Sequence, residues 1–103
     1  MIRAVFTIRN SNPVAFTVNG HSGSAESGRD IICSAVSSAC YMAVNTITEI
    51  IGENVDATVE DGYMKISLCG ESKAATDILK GLMLHISELS KDYPNFISIT
   101  TEV

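Results

Sequence analysis

IRAVFTIRNSNPVAFTVN, residues 2–19, decides the fold class because it alternates on both sides of a turn cluster. Ile2, Ala4, Phe6 and Ile8 share one side of an extended chain, against Arg3, Val5, Thr7 and Arg9 on the other. That is the period of two of a half-buried strand. Residues 10–13, Asn-Ser-Asn-Pro, are turn formers, and Val14, Phe16 and Val18 then alternate against Ala15, Thr17 and Asn19. The stretch predicts a β-hairpin. A second hairpin follows from Val55, Ala57 and Val59 set opposite Met64, Ile66 and Leu68 across Asp61-Gly62, a dipeptide favoured in tight primed turns.

Each hairpin leads into a helix. From Ile32 onward Val36, Ala39, Ala43, Ile47 and Ile50 recur at three- and four-residue steps, and Gly52 supplies a C-terminal stop. Beyond Ser72, an N-cap by type, Ala75, Ile78, Leu79, Leu82, Ile86 and Leu89 draw a second apolar stripe that Pro94 ends. A last strand is predicted over Phe96 to Val103. The order ββαββαβ predicts a two-layer α+β fold, two helices packed on one face of a five-stranded sheet. Sheet order does not follow from the pattern.

Composition sets the outer bounds. The chain has 103 residues, 46% of them apolar and 18% charged, with two prolines, which suits one core and one domain over residues 1–103. No uninterrupted apolar run approaches the roughly 20 residues of a membrane helix, and the alternating first strand is unlike a signal peptide. A cytoplasmic protein without membrane contact is expected. Three cysteines, Cys33, Cys40 and Cys69, in an irregular arrangement fit reduced thiols. The net charge of −5, without a Lys or Arg cluster, argues against direct nucleic-acid binding and suits a basic protein partner.

Chemistry concentrates between the first hairpin and the first helix. His21 to Arg29 is a loop of nine residues that includes three Ser and two Gly, longer than the about 4 to 6 residues of most connections. Such a loop reads as a moving lid or as a plain surface turn. If Asp30 caps the helix, Cys33 is its third residue, where free N–H groups and the helix dipole favour a thiolate. A cysteine on an apolar helix also serves as a small buried hydrophobe, and the charge of Asp30 opposes ionisation. His21, at the strand end, can swing toward the helix terminus and serve as base to Cys33. Ser37 lies one turn beyond Cys33 on the same face, within reach of substrate or thiolate. His85 sits on the flank of the second apolar stripe with no thiol or carboxylate cluster, a structural position. A metal site would need a Cys-x-x-Cys pair or a second histidine near His21, and neither is present.

"GHSG" at 20–23, a short variable loop, and "GRDIICSAVS" at 28–37 together resemble the signature of the bacterial ribosomal-processing cysteine proteases, the Prp or YsxB-like family. The similarity extends over the whole chain in length and element order. It implies that His21 is the catalytic histidine and Cys33 the catalytic cysteine, with Gly20, Gly23, Gly28, Asp30 and Ser37 on the other motif positions. It further implies a small, dimeric, cofactor-free endopeptidase. Its partner would be the N-terminal extension of a basic large-subunit ribosomal protein, number twenty-seven, removed after an aromatic residue. The open face of the sheet, or Leu84 on the outer side of the second helix, is a candidate homodimer contact. A non-catalytic assembly factor that binds the extension without cutting it is the competing expectation. A thiol redox protein is a third, and it lacks a resolving cysteine within reach.

Overall fold

The computed structural model describes residues 1–20 and 30–103. Its elements are β1 (Ile2–Arg9), β2 (Asn12–Asn19), α1 (Ile31–Asn45) with a π-helical continuation (Thr46–Ile51), β3 (Val55–Glu60), β4 (Tyr63–Leu68), α2 (Lys73–Asp92) and β5 (Ile97–Glu102). The five strands form one sheet in the order β3-β4-β2-β1-β5. β5 runs parallel to β1, and every other pairing is antiparallel. This is the expected α+β architecture, with the sheet order added.

The first hairpin is tighter than its turn cluster suggests. Arg9 pairs with Asn12, so the loop is only Asn10 and Ser11, with φ of 53° and 67°. Two successive left-handed residues match the right-handed twist of the flanking strands, and asparagine tolerates that conformation well. Pro13 therefore lies inside β2, next to a bulge where the β1 register shifts between Thr7 and Ile8. β4 pairs with β2 only from Ala15 onward, so the N–H that proline lacks leaves no gap in that ladder. In the second hairpin Glu60 pairs with Tyr63 across Asp61 and Gly62, as expected, but only Gly62 has positive φ, at 70°. That turn is not the doubly left-handed type the Asp-Gly pair predicts.

The core lies between the helices and the alternating residues of β1, β2 and β4. Phe6 and Phe16 face each other across the ladder with ring centroids 5.5 Å apart, and both are buried. Ile2, Ala4 and Ile66 continue that layer, and Val36, Cys40, Ala43 and Ile47 cover it from the first helical segment. Leu79, Leu82 and Ile86 do so from α2. The helical run Ile31–Ile51 has a mean hydropathy of 1.4 over its most apolar window, enough by length and composition to cross a membrane. In the fold its buried residues belong to the common core.

The end of that run departs from the 3.6-residue pattern. The hydroxyl of Thr46 donates to the Met42 carbonyl at 2.7 Å and that of Thr48 to the Val44 carbonyl at 3.1 Å. The helix widens to π geometry from Thr46 to Ile51 before Gly52, at φ 83°, terminates it. Ile50, expected on the buried stripe, is instead 80% exposed. β3 is exposed along nearly its whole length because it is an edge strand, and its main neighbour is β4.

Candidate active site

α1 starts at Ile31 because Asp30 caps it. The Asp30 backbone is extended, with ψ 100°, and its Oδ1 accepts the Cys33 N–H at 3.0 Å. The Asp30 carbonyl accepts the Ser34 N–H, also at 3.0 Å. Asp30 is only 2% exposed, so this carboxylate is a buried fixture of the helix start. Cys33 follows as the third helical residue and is half-buried. The amides of Ile31 and Ile32 precede the first i to i−4 bonds and have no acceptor within the helix.

Cys33 opens onto a groove of about 530 Å³, within the range of about 300–1,000 Å³ common for ligand sites. One wall is α1, through Cys33, Val36, Ser37, Cys40 and Tyr41. The facing wall is the end of the second hairpin, from Val59 through Met64, and Ile2, Val18 and Gly20 close the end. Glu60 and Asp61 line the hairpin wall, and no Lys or Arg is found among the described lining residues. Ser37 is exposed along this groove one turn from Cys33, as its spacing predicted.

The hairpin wall is tied to the end of β2 at Gly20. Its N–H donates to the Gly62 carbonyl at 2.8 Å, joining the end of β2 to the β3–β4 turn. Gly20 has φ 97°, and a Cβ there would run into the Met1 carbonyl. Only glycine satisfies both conditions. His21, Gly23 and Gly28, and with them the proposed lid, lie outside the described residues.

The three thiols occupy different environments. Cys40 is 1% exposed, and burial pushes its thiol up to about 12. Cys69 is exposed at the end of β4. Its thiol is raised by desolvation, by the nearby charge of Asp56 and by a hydrogen bond to that carboxylate. Cys33 alone combines partial exposure, a helix N-terminus and a groove. His85 is exposed on α2 and does not line the groove. Among the described residues, no three His, Cys, Asp or Glu side chains converge in a way that could hold a metal ion. Tyr41, Val59 and Tyr63 are groove residues that sequence spacing missed. Their proximity depends on which strand lies beside α1, and no local pattern carries that.

Comparison with known proteins gives a consistent result. A family model described as cysteine protease Prp matches residues 1–98. The chain is 28% identical to the ribosomal processing cysteine protease Prp of Bacillus subtilis (strain 168), over 100% of this chain and 99% of that protein. Among solved structures, SMU.848 from Streptococcus mutans superposes with a TM-score of 0.84 at 31% identity, covering 99% of this chain and 96% of that one. The ribosomal processing protease Prp from S. aureus, in complex with a covalently linked product peptide, gives a TM-score of 0.94 at 23% identity. That match covers 99% of this chain and 100% of the other.

Proposed function

Because the chain belongs to the Prp family of cysteine proteases, we propose that it removes the N-terminal extension of large-subunit ribosomal protein number twenty-seven, with Cys33 and His21 as a catalytic dyad. The observation that carries this reading is the placement of Cys33, a half-buried thiol in the first turn of α1 at the wall of a peptide-sized groove. In the first step the Cys33 thiolate attacks the scissile carbonyl carbon and a C–S bond forms. His21, as imidazolium, gives its proton to the leaving amine as the C–N bond breaks. A water then attacks the thioester while His21 takes its proton, the C–S bond breaks, and the carboxylic acid product leaves with the thiolate restored. No cofactor is needed for either step.

The Cys33 N–H is engaged by Asp30, and the amides of Ile31 and Ile32, which have no acceptor within the helix, are first-turn donors for the developing oxyanion. The net charge of −5, with Glu60 and Asp61 on the groove wall, suits a basic ribosomal protein. We place the enzyme in the cytoplasm as a homodimer. Leu84, 63% exposed on α2, is one candidate contact for the second copy.

The test is direct. Purified protein is incubated with the extended ribosomal protein, and the appearance of the shortened form is followed by mass spectrometry. Cys33→Ala is expected to abolish cleavage, and His21→Ala to slow it by about 10²- to 10⁴-fold. Native-rate cleavage by either variant would remove that residue from the dyad.

A further inference from the structure

A second cavity lies at the end of the sheet away from the groove. It holds about 530 Å³ and is lined by the β1–β2 turn, the end of β4 and the start of α2. Strand register separates the two. Asn19 pairs with Tyr63 at the groove end of β2 and β4, and Ala15 with Ser67 toward the other end, about 13 Å further along the strands.

The charges differ as the positions do. Glu60 and Asp61 line the groove, with no Lys or Arg among its described residues. Arg9, Lys73 and Lys80, three of the chain's seven basic residues, line the second cavity together with Glu71 and Asp77. Their spacing in the sequence hides them as a cluster, and only the fold gathers them. Lys73 bonds to Asp77 at 2.8 Å, and that hydrogen bond, aided by the charges of Lys73 and Lys80, holds the Asp77 carboxyl below its ordinary value. Arg9 and Lys80 are in no ion pair among the described residues.

The wall also carries an unused donor. Thr76 is 9% exposed, yet its hydroxyl is in no hydrogen bond among the described residues. No fully buried side-chain oxygen among them lacks a partner, so this hydroxyl opens onto the cavity that Thr76 lines. A polar group left unpaired at such depth is unfavourable and calls for an acceptor from outside the chain. α2 adds the positive end of a 20-residue helix. Ser72 caps the Ala75 N–H, while the amides of Lys73 and Ala74 have no acceptor within the helix.

We propose that this cavity binds a phosphate group, paired with Arg9 and Lys80 and hydrogen-bonded by Thr76 at the start of α2. Phosphate oxygens accept several charged and neutral donors at once, and both guanidinium and ammonium groups pair with them. Three cations against two carboxylates leave the lining one charge positive, which suits a single phosphate and not a polyphosphate. The cavity is larger than a bare phosphate and has room for the group that carries it. A small phosphate ester and the backbone of a nucleic acid present the same oxygens. The site does not depend on the peptidase reading of Cys33.

The experiment is a titration of the ¹⁵N-labelled protein followed by amide chemical shifts, with inorganic phosphate, a nucleoside monophosphate and an oligoribonucleotide without terminal phosphate as probes. Inorganic phosphate should shift amides in residues 9–12 and 70–76 saturably, in the millimolar range. Arg9→Ala and Lys80→Ala should each weaken binding about tenfold, the scale of one charge-assisted contact. Thr76→Val, which keeps the shape and removes the hydroxyl, should weaken it severalfold. Lys91→Ala, the same loss of charge at the other end of α2, should leave it unchanged. Saturation by the monophosphate but not by the oligoribonucleotide supports a site for a terminal phosphate, and saturation by the oligoribonucleotide at the same amides supports one for a phosphodiester. Shifts that do not saturate overturn the site, as do affinities unchanged in Arg9→Ala, Lys80→Ala and Thr76→Val. A loss in Lys91→Ala equal to theirs overturns it as well, because net charge alone would then explain the binding.

Discussion

At Gly20 a left-handed backbone, a hydrogen bond to the β3–β4 turn and the carbonyl of Met1 all meet at one Cα. Gly20→Ala adds a methyl where the neighbour is main chain, which cannot swing aside as a side chain would. The expected cost is about 1–3 kcal/mol of stability, a fall of roughly 5–20 °C in the thermal midpoint measured by circular dichroism. An unchanged midpoint would mean that the strand end and Met1 separate freely. The sequence marks Gly20 by its motif position and by the backbone freedom of glycine, but not its constraint, which comes from Met1 and Gly62, nineteen and forty-two positions away.

At the scale of elements, the start of α1 was the most readable part of the site. Asp30 is the right residue type directly before an apolar helix, and the three-residue interval to Cys33 is the capping interval itself. Replacing Asp30 by Ala should lower stability in urea unfolding by at least about 1 kcal/mol, while Asp30→Asn, which keeps the acceptor oxygen, should recover most of it. Equal losses in the two variants would show that charge, not capping, is what the position supplies. The hairpins were equally legible, since alternation and turn chemistry are local. Two features were not. Pro13 looked like part of a turn, and only the bulge opposite Thr7 and Ile8 makes room for it inside β2. At the π-helical end of the first helix the Thr46 and Thr48 hydroxyls donate to backbone carbonyls four residues back, whereas periodicity sees only the isoleucines.

At the scale of the whole molecule, a core thiol and the proposed nucleophile share one helix. Cys40 lies seven residues from Cys33 and is held neutral in the core, its thiol raised to about 12 against an ordinary value of 9.0. Between those values the unfolded chain has released this proton and the folded chain has kept it, so the native state binds more protons and stability falls as pH rises. The contribution is fully present below about pH 9 and is lost through the window up to about 12. Thermal midpoints measured from pH 8 to 11 should decline, and Cys40→Ala, less stable at pH 8 because of the cavity it leaves, should decline less steeply. Parallel curves would place the alkaline sensitivity elsewhere. The groove could not be read at this scale from the sequence. Tyr41 and Val59 line one groove only through the order β3-β4-β2-β1-β5, which puts the second hairpin beside β2.

That same strand order divides the chain in time as well as space. Every described residue that lines the groove falls between Ile2 and Met64, and both of its hairpins close through two-residue turns. Hairpins of this kind form in about 1–10 μs once their strands exist. β1, however, is completed on its other edge by β5, in a ladder that joins Ile2 to Ile97. Synthesis must pass Ile97 before that edge begins to be covered. A nascent chain can therefore carry the two hairpins that wall its groove while β1 still has one open edge, which residues 97–102 close.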